Sequence, residues 1–233
     1  MQTGDIISYT EMCMAEGYSL QRGMNFQVGG GTSVILMSVR KGAPYSDQIE
    51  DEGKTLIYEG HDVPKNLATS PKSVNQQMTL PSGKLTQNGK FFEASEAFKK
   101  GSLPDLVTVY EKIKDGIWVY NGVFAIVDAW IEKENPERRD VFKFKLQITN
   151  NSVNQKAQRE ESLKGLDHNR MIPTSVKLEV WSRDKGKCIQ CGSCDNLHFD
   201  HILPFSKGGT SLKADNIQLL CARHNLQKSN RII

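Results

Sequence analysis

No apolar run in this chain approaches the about 20 residues that a helix needs to cross a bilayer, which argues against a helical membrane protein. The opening stretch, MQTGDIISYTEMCMAEGYS, lacks both a basic n-region and an apolar core. It is not expected to act as a secretory leader, and the expected location is the cytoplasm. There is no internal repeat. A strong charge of one sign is also missing: the net charge is +3, and a mean hydropathy of -0.48 is that of an ordinary soluble protein. The length of 233 residues suits one or two domains. Cysteine is scarce, yet four of the five lie between positions 188 and 221. In a chain expected in the cytoplasm, that clustering favours metal over disulfides.

What charge there is falls unevenly. Residues 1–150 hold 17 Lys and Arg against 19 Asp and Glu, a balance of -2, whereas residues 151–233 hold 13 against 8, a balance of +5. The basic excess travels with the cysteines, as a phosphate-backbone partner would require, but its size alone does not decide for nucleic acid.

The chain divides near residues 150–172. The stretch NNSVNQKAQREESLKGLDHNRM is polar, has no aromatic residue and reads as a linker over 151–172. Before it lie runs rich in Val, Ile, Tyr, Phe and Trp: 32–39, 54–60, 105–113, 116–131 and 140–148. VFKFKLQI alternates apolar and polar residues, as a half-buried strand does. These runs predict a strongly curved antiparallel sheet or barrel over residues 1–150, with a few short helices, one of them ending in SEAFKKGS. After the linker, Pro173-Thr174-Ser175 predicts the start of a helix through Asp184. The expected class is α+β.

The chemistry is concentrated after Cys188, in CIQCGSCDNLHFDHILPFSKGGTSLKADNIQLLCARHNLQKSN. Cys188-x-x-Cys191 can form a tight knuckle that presents two thiolates to one ion. Cys221-x-x-His224 supplies a second pair at the start of a helix, where positions i and i+3 share a face. Four such ligands make a closed, structural zinc site. Cys191 and Cys194 form a second C-x-x-C pair, so Cys194 can replace Cys188; Gly192, a turn-former after Cys191, favours Cys188. Between the two pairs stands Asp200-His201. On an extended backbone these side chains point to opposite sides, so that Asp200 can ligate a divalent cation while His201 faces a water. A neutral imidazole suits the role of general base near pH 7. SKGGT lets the chain double back, Asn216 can fix that loop, Asn225 can bring an amide oxygen to the cation, and Lys228 can touch phosphate.

On these residues the segment from about Val180 to Arg231 resembles an HNH nuclease domain of the ββα-metal class. Its zinc-containing branch reads W-x-R-D…C-x-x-C-G…DHI-x-P…GG…N…L-C-x-x-C-[HN]-x-x-K. Trp181, Arg183, Asp184, Cys188, Cys191, Gly192, Asp200, His201, Ile202, Pro204, Gly208, Gly209, Asn216, Leu220, Cys221, Asn225 and Lys228 match it. His224 stands where a fourth cysteine is usual, and Asn225 where histidine is the namesake. The resemblance implies His201 as general base, Asp200 and Asn225 as holders of Mg2+ or another divalent cation, Asn216 as the residue that orients the loop, and a structural Zn2+ on Cys188, Cys191, Cys221 and His224.

In the N-terminal part, Tyr45 and Tyr58 bracket an acidic loop that contains Asp47. Two aromatic faces and a carboxylate can sandwich a planar polar base; the plainer reading buries both tyrosines in a barrel core. The order of landmarks over residues 4–148 resembles an SRA domain: a GD start, a Gly-rich turn before SVILMS, Tyr45-Ser46-Asp47, Tyr58-Glu59-Gly60, then Tyr120-Asn121-Gly122 where the family shows Tyr-Asp-Gly. That family is an SRA/PUA-like curved barrel that flips modified cytosine out of duplex DNA. With the HNH module at 173–233, the chain resembles a type IV, McrA-like modification-dependent restriction endonuclease. The implied partner is double-stranded DNA carrying 5-methylcytosine or 5-hydroxymethylcytosine. One HNH site cuts one strand, so a double-strand break implies a homodimer. A sequence-specific or nicking HNH nuclease, and a non-catalytic zinc-dependent DNA-binding protein, are the alternatives.

Overall fold

A computed structural model describes residues 1–64, 68–134, 139–149, 171–204 and 207–228. The expected linker lies outside the described residues except for Met171 and Ile172, as does Ser206 of the SKGGT turn. Among the described residues no helix is long and apolar enough to cross a membrane. The class is α+β, as expected.

The N-terminal part is one curved sheet. Its strands are β1 (Ile6–Ile7), β2 (Met24–Asn25), β3 (Ser33–Met37), β4 (Gln48–Glu50), β5 (Thr55–Glu59), β6 (Leu106–Lys114), β7 (Ile117–Glu134) and β8 (Arg139–Ile148). The order runs β2-β3-β6-β7-β8-β5-β4, with β1 paired to β7 beyond the end of β8. All five aromatic and β-branched runs appear as strands. One pairing departs from the expected antiparallel pattern: β3 and β6 run parallel. The long connection between them, which includes helix α2 (Gln87–Lys99), allows this, since a parallel pair needs a crossover. Register shifts between Val109 and Tyr110 and between Ile126 and Asp128 mark bulges, which bend and twist the sheet. The core gathers Met24, Leu56, Tyr58, Phe91, Phe124, Phe144 and Met171, so one end of the expected linker is packed into the core of the sheet.

Helix α1 (Tyr9–Glu16) is one of the short helices of this part. It starts on a capping box, with Ser8 accepting from the Glu11 amide and Glu11 accepting from the Ser8 amide, and it stops at Gly17 in a left-handed conformation.

The C-terminal part consists of helix α3 (Thr174–Arg183), strands β9 (Leu197–His201) and β10 (Ile217–Cys221), and helix α4 (Ala222–Lys228). β9 and β10 pair antiparallel, with Asp200 opposite Gln218 and Cys221 opposite Leu197. Arg183 ties α3 to this hairpin, donating to the Ala214 carbonyl at 2.8 Å and the Ile217 carbonyl at 2.6 Å. Its neighbour Asp184 accepts from the Leu219 amide at 2.9 Å. The Arg-Asp pair thus sets helix against hairpin. An apolar cluster joins the two parts: Ile113 and Val119 pack with Ile172, Val176, Val180, Phe199, Ile217 and Leu219.

Candidate active site and metal cluster

The β9–β10–α4 unit carries Asp200, His201, Cys221, His224, Asn225 and Lys228. Cys188 and Cys191 sit on a knuckle closed by the Gly192 amide donating to the Cys188 carbonyl and the Cys188 amide donating to Ser193, both at 2.8 Å. Cys221 ends β10, and His224 lies on the first turn of α4. The four ligand atoms all fall within 4.8 Å of one another. Cys191 Sγ lies 3.8 Å from Cys221 Sγ, and His224 Nδ1 lies 3.3 Å from Cys188 Sγ and 3.4 Å from Cys221 Sγ. Zinc bonds of about 2.3 Å to sulfur and about 2.0 Å to nitrogen give tetrahedral edges of about 3.8 and about 3.5 Å. The cluster therefore fits that ion. Burial alone would raise the Cys188 thiol, but backbone amides of Cys221, Cys191 and Gln190 and the His224 side chain bring it down to about 6, which favours the thiolate a metal needs. The cluster includes Cys188 and not Cys194, which is exposed.

Asp200 and His201 stand at the end of β9, half-buried. Asp200 Oδ2 accepts from Gln218 Nε2 at 2.9 Å and pairs with Lys228 Nζ at 3.0 Å. Among the described residues Oδ1 carries no partner, so one carboxylate oxygen remains for a cation. His201 Nε2 lies 2.8 Å from Ser211 Oγ. Burial lowers the imidazole below its ordinary value; the Asp200 carboxylate opposes this and the Lys228 ammonium adds to it. The shift favours the neutral ring.

Asn216 holds the intervening loop by three hydrogen bonds. It accepts from the Leu203 amide at 2.8 Å and donates to the Leu203 carbonyl at 3.1 Å and the Thr210 carbonyl at 3.0 Å. A Cβ at Gly209 would stand 1.9 Å from the Leu203 carbonyl oxygen, so only glycine lets the loop close here. Asn225 is half-buried on α4 and makes no side-chain hydrogen bond among the described residues. Lys228, expected at a phosphate, is instead buried at 1% exposure. It donates to the His201 carbonyl at 2.5 Å as well as pairing with Asp200. α4 packs on β9, so a lysine one turn past His224 points at the strand rather than outward. Nothing in the local sequence marks Gln218 or Ser211; their contacts depend on strand register and loop closure.

On the N-terminal sheet, Tyr45 stacks with His61, the ring centroids 6.0 Å apart at 23°. Lys72 Nζ sits 4.3 Å from the Tyr45 centroid. Tyr58 is buried in the sheet core at 1% exposure, so the ring partner of Tyr45 is His61 rather than Tyr58. Tyr58 is pushed well up, first by burial and then by Asp47, Tyr45 and Glu59. Asp47 accepts from the Ser38 amide at 3.2 Å and the Glu59 amide at 3.0 Å, one bond on each oxygen. Burial raises it to about 7 against those two bonds. Behind it, the buried Glu59 accepts from the Ser46 amide and from Lys143, each at 3.0 Å, and Arg139 bonds Asp62 at 2.6 Å.

Residues 188–231 match the HNH endonuclease family. The C-terminal module is accordingly an HNH endonuclease domain, and the protein is a nuclease of the hydrolase class; the match spans well under half of the chain. Comparison with curated proteins finds no match. Among solved structures, an SRA domain of SUVH5 in complex with hemi-methylated CG DNA is similar at 24% identity and a TM-score of 0.47, over 65% of this chain and 91% of that one. The type IV phosphorothioation-dependent restriction endonuclease ScoMcrA is similar at 14% identity and 0.46, over 99% of this chain and 55% of that one. The modification-dependent restriction endonuclease TagI is similar at 16% identity and 0.43, over 99% and 78%. The methylated DNA and the phosphorothioation dependence are properties of those proteins.

Proposed function

We propose that the protein is a modification-dependent DNA endonuclease, in which residues 1–150 read 5-methylcytosine or 5-hydroxymethylcytosine in duplex DNA and residues 173–233 hydrolyse a phosphodiester bond nearby. The observation that carries the nuclease half is the Asp200-His201 strand end, locked between Lys228, Gln218 and Ser211 and braced by the Cys3His cluster. With Nε2 engaged by Ser211, Nδ1 of His201 is the nitrogen left to take a proton from the attacking water. Mg2+ or another divalent cation held by Asp200 and Asn225 would offset the charge that builds on the phosphate. Lys228 neutralises part of the Asp200 charge, and Asn216 fixes the loop that presents Ser211. Zinc on Cys188, Cys191, Cys221 and His224 would contribute folding free energy to a module with little core of its own.

For the reader, Tyr45 offers a stacking face at a site that is already ringed by His61, Lys72 and the buried acids. Asp47 shapes the site by clamping Ser38 and Glu59, and Tyr58 forms its floor. A flipped base must displace a neighbour of Tyr45 to stack there. One observation favours a second reading, an HNH endonuclease indifferent to base modification: Tyr58 is core and both Asp47 oxygens already have partners. A break in both strands calls for two copies, hence a homodimer acting on DNA. The test is cleavage of matched duplexes with and without modified cytosine, followed for wild type and Tyr45→Ala; equal cleavage of both duplexes by wild type selects the second reading.

A further inference from the structure

The strand that carries Asp200 and His201 is not built by the nuclease module alone. Residues 4–7 lie between two sheets. On one side the Gly4 amide donates to the Tyr120 carbonyl and the Tyr120 amide to the Asp5 carbonyl, each at 2.9 Å, and β1 pairs with β7. On the other side the Phe199 amide donates to the Gly4 carbonyl at 3.0 Å, and the Asp5 carboxylate meets His198 Nδ1 at 2.5 Å. Gly4 has φ +100°, and a Cβ there would stand 2.7 Å from the Phe199 carbonyl oxygen, so the two backbones approach as closely as glycine allows. One strand segment therefore joins β7 to the catalytic strand through main-chain hydrogen bonds.

A second tie is ionic and dry. Lys177 on α3 donates to Glu111 on β6 at 2.5 Å and to Asn121 on β7 at 2.6 Å. Thr174 also donates to Glu111, and the Asn121 amide donates to the same carboxylate at 3.1 Å. Lys177 is 1% exposed and Glu111 and Asn121 are 0% exposed. With Asn121 and Thr174 bonded to the same pair, the buried charges are matched in one geometry, so the tie sets how the halves dock rather than adding much stability. The shared apolar cluster lies beside this pair. Inter-domain motion is the default where few contacts cross; here main-chain bonds, a buried ion pair and an apolar cluster cross together.

We infer that the sheet and the nuclease module move as one body, and that Gly4, Asp5, Glu111 and Lys177 act as positioning residues that fix the distance between the bound base and the bond that is cut. Cleavage then falls at a set offset, independent of the length of chain between residues 150 and 171. The inference rests on the proposed modification-dependent cleavage.

The experiment maps cut positions at single-nucleotide resolution on a duplex with one 5-methylcytosine, using full-length protein. Wild type is compared with a variant carrying about ten inserted Gly/Ser residues within 151–170 and with Glu111→Gln/Lys177→Met. The expected result is one dominant cut position, unchanged by the insertion and lost to a spread of positions in the double variant. A cut position that moves or scatters with the insertion overturns the inference. Wild-type cleavage that ignores the methyl group overturns the reader assignment instead. Calorimetry then still decides the single body, since one cooperative transition supports it and two separable transitions overturn it. The same scan applies if the double variant does not fold.

Discussion

The His201 imidazole is held by Ser211: Nε2 and Oγ are 2.8 Å apart, and Ser211 is 1% exposed. The hydrogen bond fixes the ring on the nitrogen away from the proposed water. His201→Ala is expected to abolish cleavage and leave DNA binding and fold intact, since general-base contributions are about 10²–10⁴-fold. Ser211→Ala should reduce cleavage about tenfold, as for the loss of about 1.4 kcal/mol of orientation. Single-turnover cleavage and gel-shift binding check both; wild-type turnover in His201→Ala would exclude it as the base.

The cluster of Cys188, Cys191, Cys221 and His224 is expected to hold about one zinc ion per chain, measurable by elemental analysis. Cys188→Ser or Cys221→Ser should release the ion and lower the melting temperature of the whole chain, because the nuclease module shares a core with the sheet. Cys194→Ser should be mild. Zinc-free protein with wild-type stability would refute the assignment.

His61 is depressed to about 4, chiefly by burial, with Arg22 adding to this and Asp62 opposing it. A depressed folded value means that the neutral ring stabilises the fold above the ordinary value of 6.5, a contribution lost as pH falls through about 4. Asp47, raised to about 7 by burial, acts in the opposite direction: its contribution is complete below the ordinary 3.8 and lost as pH rises through about 7. The melting-temperature gap between wild type and His61→Gln should therefore narrow from pH 7 to pH 4. A constant gap would show that the ring is not buried in the neutral form.

The two tyrosines should separate by stability. Tyr58 is part of the sheet core, so Tyr58→Ala is expected to cost about 3–5 kcal/mol in denaturant unfolding. Tyr45 lies half-buried beside His61 and Lys72, and its replacement by alanine should cost much less. Equal costs would mean that Tyr45 is a core residue too.

The Cys188, Cys191, Cys221 and His224 cluster and the Asp200-His201 strand end are legible in the sequence because their residues lie at short, fixed spacings, where local geometry decides. The strands of the sheet were readable from β-branched and aromatic runs. Non-local relationships were not. The ring that stacks on Tyr45 comes from His61 across a loop, Gln218 reaches Asp200 only through the β9–β10 register, and Lys228 turns inward because α4 packs on β9. The fusion of the two parts was hidden for the same reason: the Glu111–Lys177 pair spans 66 positions in sequence, and nothing in either local pattern announces the other.

The central claim is that cytosine modification licenses cleavage. The direct measurement compares initial cleavage rates on two duplexes identical except for one 5-methylcytosine or 5-hydroxymethylcytosine, with wild type and Tyr45→Ala at several salt concentrations. Wild type should cut the modified duplex preferentially. Tyr45→Ala should lose the preference, at about 1–3 kcal/mol for a stacking face, while keeping salt-sensitive backbone binding. Equal rates on both duplexes with wild type would contradict the account and leave an HNH nuclease whose sheet reads something other than the modified base.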